Sequence, residues 1–132
     1  MKYVYPAVFQ PEETGFFISF PDIEGCFTQS PSIQDGMDMA ADALNLMLWH
    51  MEEKGLNIPA PSSLRELKCP PDSFATLIGA DTLAYRKQHD TKSVRKNVSI
   101  PRWLDTLAAE HNVNFSNIMQ NALMDALGVG KA

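Results

Sequence analysis

Cysteine is nearly absent from this sequence. Cys26 and Cys69 are the only two among 132 residues. They stand far apart, form no CxxC pair, and have no histidine at ligand spacing. A disulfide-dense scaffold is therefore excluded, and two free thiols in a reducing compartment are the favoured reading; a single disulfide or a metal site is the alternative. The three histidines, His50, His89 and His111, are scattered. No nucleophile is flanked by a base, so no catalytic, cofactor-binding or metal site is expected. No apolar run approaches the ~20 residues that a membrane span needs. The first ten residues, MKYVYPAVFQ, lack the apolar core and small-residue cleavage site of a signal peptide. A cytoplasmic protein with no membrane partner is expected.

Positive charge is also scarce, and it is unevenly placed. The chain carries 11 Lys+Arg against 16 Asp+Glu, for a net charge of −5. Residues 1–91 hold 6 of those cations and 13 of the acids, a balance of −7. Residues 92–132 hold 5 and 3, a balance of +2. An acidic front repels nucleic acid and suits a basic partner, whereas a basic back suits phosphate. The apolar fraction of 45% is ordinary for a globular chain, and the length allows one domain, or two small ones if one completes its core by dimerising.

The front half reads as a small antiparallel sheet with one main helix, an α+β pattern. Residues 1–10 form a strand of aromatic and β-branched positions, with Pro6 pointing to an edge or a bulge. Residues 16–20 (FFISF) and 26–29 add two more strands across tight polar turns, making a meander. Ser32 is the expected N-cap of a helix, with Asp35 three residues on. Its apolar stripe is Ile33, Met37, Ala40, Ala41, Leu44, Met47, Leu48 and Met51. Gln34, Asp38, Asp42, Asn45 and Glu52 face out, and Gly55 ends it. Residues 64–69 and 74–83 are expected to add one or two strands. The charged stretch 85–93 (YRKQHDTKS) has no period and reads as a linker between a domain at 1–84 and another at 94–132.

The back half carries the clearest functional pattern. Residues 94–100 alternate: Val94, Lys96, Val98 and Ile100 face one way, and Arg95, Asn97 and Ser99 the other. Pro101 ends the strand and can open a helix that carries Trp103, Leu104 and Leu107. Residues 112–114 turn, with Asn114 as N-cap of a second helix that Gly128 closes. One strand and two short helices cannot bury that apolar surface alone, and a single strand leaves a bare edge. Antiparallel pairing of two copies resolves both problems and produces a two-stranded ribbon that fits the major groove of DNA. Arg95, Asn97 and Ser99 then face the bases, with Lys96 beside them. Asn114, Ser116 and Asn117 stand at a helix N-terminus, where free N–H groups attract phosphate. The alternative is an αα-hairpin that merely dimerises.

Two stretches resemble known proteins. Residues 94–128 resemble the ribbon-helix-helix repressors, above all in the strand-Pro-helix junction and the NFSNI start of the second helix. Residues 3–63 resemble the N-terminal domain of HicB-type antitoxins. The matching residues are Tyr5-Pro6-Ala7, the PDIEGCFTQ stretch from Pro21 to Gln29, Ala40-Ala41 and Ala43-Leu44 in the helix, and the Ile58-Pro59 and Pro61-Ser62 pairs. Two positions depart from the family pattern: Ser30 stands where Gly is usual, and Asp35 where Glu is usual. The resemblance implies a truncated RNase H-like fold without a working nuclease site. It also implies a partner, a small RNA-cleaving toxin of the HicA type whose active site is blocked. A ribbon-helix-helix domain would bind the operator of the chain's own operon as a homodimer, or as a tetramer built from two of them.

Asp22 and Glu24 are the one carboxylate pair that a nuclease reading can use. Strands 2–10 and 16–20 contain no Asp or Glu to complete a metal set, and Pro21-Asp22 with Gly25 reads as a turn. The expected function is therefore that of an antitoxin and autorepressor, not an enzyme. The rival is a stand-alone ribbon-helix-helix regulator whose front domain senses a ligand or only oligomerises.

Overall fold

The computed structural model describes residues 1–130 and divides the chain into two compact units, Met1–Asp90 and Thr91–Ala132. In the first unit, β1 (Lys2–Pro11), β2 (Phe16–Ser19) and β3 (Phe27–Ser30) form the expected meander. Helix α1 (Ile33–Lys54) follows, and β4 (Phe74–Asp81) pairs antiparallel with the free side of β1, giving the sheet order β3-β2-β1-β4. Strand alternation places Tyr5, Ala7, Phe9, Ile18, Ile78 and Ala80 in one core with Ala40, Leu44 and Leu48 of α1.

Pro6 does not mark an edge, as its chemistry suggested, because β1 is central. The conflict is resolved locally. β2 pairs with β1 only from Val8 to Pro11, whereas β4 runs beside it from Lys2 to Phe9. At Pro6 only β4 lies alongside, so the missing N–H costs no ladder bond on the β2 side.

Helix α1 begins and ends where its caps require. The Ser32 hydroxyl accepts from the Asp35 N–H at 3.1 Å, and Gly55 takes the left-handed conformation at φ 65°. Its buried stripe is Gly36, Ala40, Leu44 and Leu48. Ile33 and Met37, expected in the core, are exposed. Close packing on the sheet includes Gly36, where a Cβ would stand 2.9 Å from Phe9 Cε2.

Asn45 and Glu52 do not face solvent as expected. Asn45 Oδ1 accepts from the Asp81 N–H at 3.0 Å. Glu52 accepts from Tyr3 Oη at 2.7 Å, Thr82 Oγ1 at 3.0 Å and Arg86 Nη2 at 2.8 Å. Burial opposes the charge on Glu52, but the hydrogen bonds from Tyr3 and Thr82 and the Arg86 guanidinium outweigh it and hold its carboxyl below the usual range. The Tyr3 phenol, desolvated and donating to that carboxylate, is pushed up to about 12.

Two other expectations are corrected. Residues 64–69 form a turn and irregular chain in place of a strand. Both sides of β1 are already taken, and the Arg65-Glu66 and Lys68 charges have no face to bury. The linker expected at 85–93 begins inside a helix, α2 (Thr82–His89), whose N-cap Asp81 accepts from the Ala84 N–H at 3.2 Å. Polar contacts pin α2 to α1: Arg86 reaches Glu52 at 2.8 Å and Glu53 at 3.2 Å, and Tyr85 Oη donates to Asp42 at 3.1 Å. A helix held by such groups carries little apolar period and so escapes a reading by periodicity.

The second unit has α3 (Arg102–Glu110) and α4 (Phe115–Leu127). Pro101 takes the N-cap position, one residue before the place expected for it. Asn112 supplies the turn with φ 52°, a left-handed conformation that Asn tolerates. Asn114 Oδ1 accepts from the Asn117 N–H at 3.0 Å, and Gly128 closes α4 at φ 68°. No strand is formed over 94–100 in this single copy. A ladder needs a neighbouring strand, and a single copy of the unit has only one candidate segment.

Candidate nucleic-acid interface

Lys96, Val98 and Ile100 line a groove of about 430 Å³ together with Leu104 of α3 and Phe115 and Ile118 of α4. All of residues 94–100 are exposed, Arg95, Asn97 and Ser99 among them. The seven residues singled out from sequence thus fall into three sets. Arg95, Asn97 and Ser99 are exposed and do not line the groove. Lys96 lines it with Ser116, the second residue of α4. Asn114 and Asn117 stand at the start of α4, joined by the cap.

The groove belongs to a unit that cannot cover itself. Val94, Val98, Ile100, Trp103, Leu104, Leu107, Phe115, Ile118, Leu123 and Leu127 are all exposed. Among the described residues of α3 and α4, none is buried. A segment of this size with that much apolar surface in water needs a partner for its core.

The first unit holds no comparable set of polar groups. Asp22 is occupied by structure: its carboxylate accepts from the backbone N–H of Ser62 at 3.0 Å and from the Ser62 hydroxyl. Among the described residues no three His, Cys, Asp or Glu side chains converge as a metal set. Both cysteines are free; Cys26 is buried, and that burial pushes its thiol up to about 11. No helix among the described residues is long and apolar enough to cross a membrane.

A family model, the HicB-like antitoxin of bacterial toxin–antitoxin systems, matches residues 5–122. The chain belongs to this family. Two curated relatives come from Photorhabdus laumondii subsp. laumondii. Antitoxin HicB 1 is 40% identical over 58 residues, which are 43% of this chain and only 37% of that protein's length. Antitoxin HicB 2 is 26% identical over 126 residues, 94% of this chain and 90% of its own. Among solved structures, a chain of a toxin–antitoxin complex from Streptococcus pneumoniae is similar with a TM-score of 0.61 at 25% identity. That likeness covers 96% of this chain and 99% of the other.

The departure of this HicB-like chain at Ser30 has a structural outcome. Ser30 is buried at the end of β3, has no left-handed backbone, and donates from its hydroxyl to the Ser32 carbonyl at 2.8 Å. Asp35, the second departure, leaves the cap intact. Residues that sequence reasoning missed are Glu52, Thr82 and Arg86, which fasten α2 to the antitoxin's front unit. The single available signal was their charge and hydroxyl chemistry, which a surface position shares.

Proposed function

We propose that this chain neutralises an RNA-cleaving toxin of the HicA type with its front unit and represses its own operon with its back unit, both in the cytoplasm. The meander-helix-strand order of the front unit supports the truncated RNase H-like reading. Neutralisation is occlusion of the toxin's active site, without turnover by the antitoxin. The back unit forms a ribbon-helix-helix homodimer, in which two copies of 94–100 pair antiparallel and the four helices share one core.

One observation carries the DNA-binding half of this reading. Lys96, Val98 and Ile100 line the apolar groove of their own unit, while Arg95, Asn97 and Ser99 occupy the alternate positions. Pairing through the backbone of that segment would cover the groove side and leave the polar row outward. An Arg can donate to guanine, an Asn can pair with adenine, and a Ser adapts to either. Asn114 and Asn117 at the start of α4 would meet the phosphates, with Ser116 and Lys96 nearby.

The test is a gel shift on the promoter region paired with sedimentation. Arg95→Ala with Asn97→Ala should abolish specific binding, at about 1–3 kcal/mol for each lost base contact, and leave the dimer intact. Unchanged affinity for the operator would remove the ribbon as the reading element. For the toxin, the small basic protein expected beside this chain in the operon should arrest growth alone and be rescued by co-expression. RNA cleavage should stop at a fixed molar ratio of the two proteins.

A further inference from the structure

The front unit leaves apolar surface uncovered around one edge of its sheet. β3 ends the sheet, so one side of Phe27–Ser30 has no neighbouring strand. Two grooves meet there and share Phe27. One, of about 400 Å³, runs between β3 and α1 and is lined by Cys26, Ala43, Leu46, Met47 and His50. The other, of about 480 Å³, is lined by Phe17, Thr28, Gln29 and Met39. Met39, Ala43, Leu46 and His50 recur at helical spacing on a stripe of α1 other than the one that packs on the sheet. Phe27 is 60% exposed, Leu46 53% and Met39 41%. Large apolar side chains clustered in this way, with methionine and aromatic character, mark an interaction surface.

Charge decides between occupants. Asp35 and Asp38 are exposed on α1, as are Asp42 and Glu53, which already bond Tyr85 and Arg86 of α2; the one Lys or Arg of α1 is its last residue, Lys54. Glu24 is exposed next to Gly25 at the end of the first groove. A second copy of this chain would set acid against acid. A basic protein would meet complementary charge, which speeds its encounter, while the grooves supply buried contact. The open edge of β3 adds unpaired backbone donors and acceptors between the two grooves.

We propose that this double groove, from Phe17 across Phe27 to Leu46 and His50, is the surface on which a small basic RNA-cleaving toxin docks. The inference rests on the antitoxin reading and adds the place of contact. Apolar side chains of the partner fill the grooves on either side of Phe27, and its cations face the acids of α1.

The test uses the full chain and the small basic protein that the antitoxin reading expects to be encoded beside it, made RNase-inactive, with binding followed by calorimetry. Phe27→Asp with Leu46→Asp should weaken binding by on the order of 30-fold or more, the scale of a lost hot spot. Leu77→Asp is the control: Leu77 is half exposed and alternates with Ile78, which faces the core, so it lies on the sheet face away from α1. It should bind as the wild type does. Normal binding by the double variant, or loss of binding with Leu77→Asp alone, would overturn the assignment. A second measurement needs no substitution. In the wild-type chain, the Met39 and Met47 methyl resonances should shift on titration with the partner; methyls that stay unmoved while the complex forms place the contact elsewhere. If the wild-type chain does not bind at all, the antitoxin reading itself falls, and the docking surface with it.

Discussion

The carboxylate of Asp22 accepts a hydrogen bond from the backbone N–H of Ser62 at 3.0 Å, and a second from the Ser62 hydroxyl, across 40 residues of sequence. The same stretch of chain is held by Tyr5, whose hydroxyl donates to the Pro59 carbonyl. Asp22 is therefore a clasp on the irregular segment after α1. Asp22→Ala should cost about 1 kcal/mol and speed hydrogen exchange at the Ser62 amide. Glu24→Gln, at an exposed neighbour, should change stability by less than about 0.5 kcal/mol. Equal effects of the two changes in a urea titration would contradict the clasp.

Gly36 packs tightly against the sheet. A Cβ there would meet Ser30 Oγ at 2.7 Å, Phe9 Cε2 at 2.9 Å and Ile18 Cδ1 at 3.1 Å. Gly36→Ala gains about 1 kcal/mol of helix propensity but overpacks a closed core, at about 1–3 kcal/mol. Net destabilisation is the expected outcome in equilibrium unfolding. Adding Ser30→Ala should recover part of the loss, since it removes the nearest atom.

Glu52 makes the front unit sensitive to acid. Its carboxyl ionises more readily folded than unfolded, despite the opposing effect of burial, because Tyr3, Thr82 and Arg86 hold its charged form. Its contribution is thus present above the unfolded carboxyl range and is lost as pH falls through the lower, folded value. Glu52→Gln should destabilise by about 1–2 kcal/mol at neutral pH. The gap between variant and wild type should narrow in thermal melts as the pH is lowered through the folded carboxyl range. A gap that stays constant with pH would exclude the ionised carboxylate as its source.

The front unit should be cut after Asp90 and not after residue 84. The shorter piece loses Tyr85 and Arg86, and with them the bonds to Asp42, Glu52 and Glu53. Residues 1–90 should melt cooperatively and at a higher temperature than residues 1–84. Identical melts would mean that α2 adds nothing to this unit.

On the proposed reading, DNA binding by a dimer of the back unit should depend on salt only moderately, because that unit has few cations. Neutralising one phosphate contributes about 0.9 to the slope of log K against log salt, so a slope on the order of −3 to −6 is expected. A slope near zero in filter binding across salt concentrations would argue against DNA as the ligand of this unit.

Local chemistry was the legible part of the fold. The meander, α1 with its Ser32 cap and Gly55 stop, the Asn114 cap of α4 and its Gly128 end all follow from side chains within a few residues of the backbone groups they satisfy. The phase expected for residues 94–100 is read from the chain alone, since strand alternation needs no neighbour, but no strand forms there in a single copy. Lys96, expected from that phase on the side of Val98 and Ile100, lines the groove with them and with Ser116.

Sequence by itself determined where the meander, α1 and α4 begin and how charge divides between the two units. Tertiary structure alone decided what the polar side chains outside the caps do. Glu52 and Asn45 read as solvent-facing until β4 and α2 arrive beside them, and Arg86 reads as linker until it reaches Glu52. Pro6 reads as an edge residue until β4 takes the far side of β1. The physical reason is range. Caps and periodicities act over a few residues, whereas these contacts join positions 34 and 36 apart, and a partner at that distance leaves no mark on the local pattern.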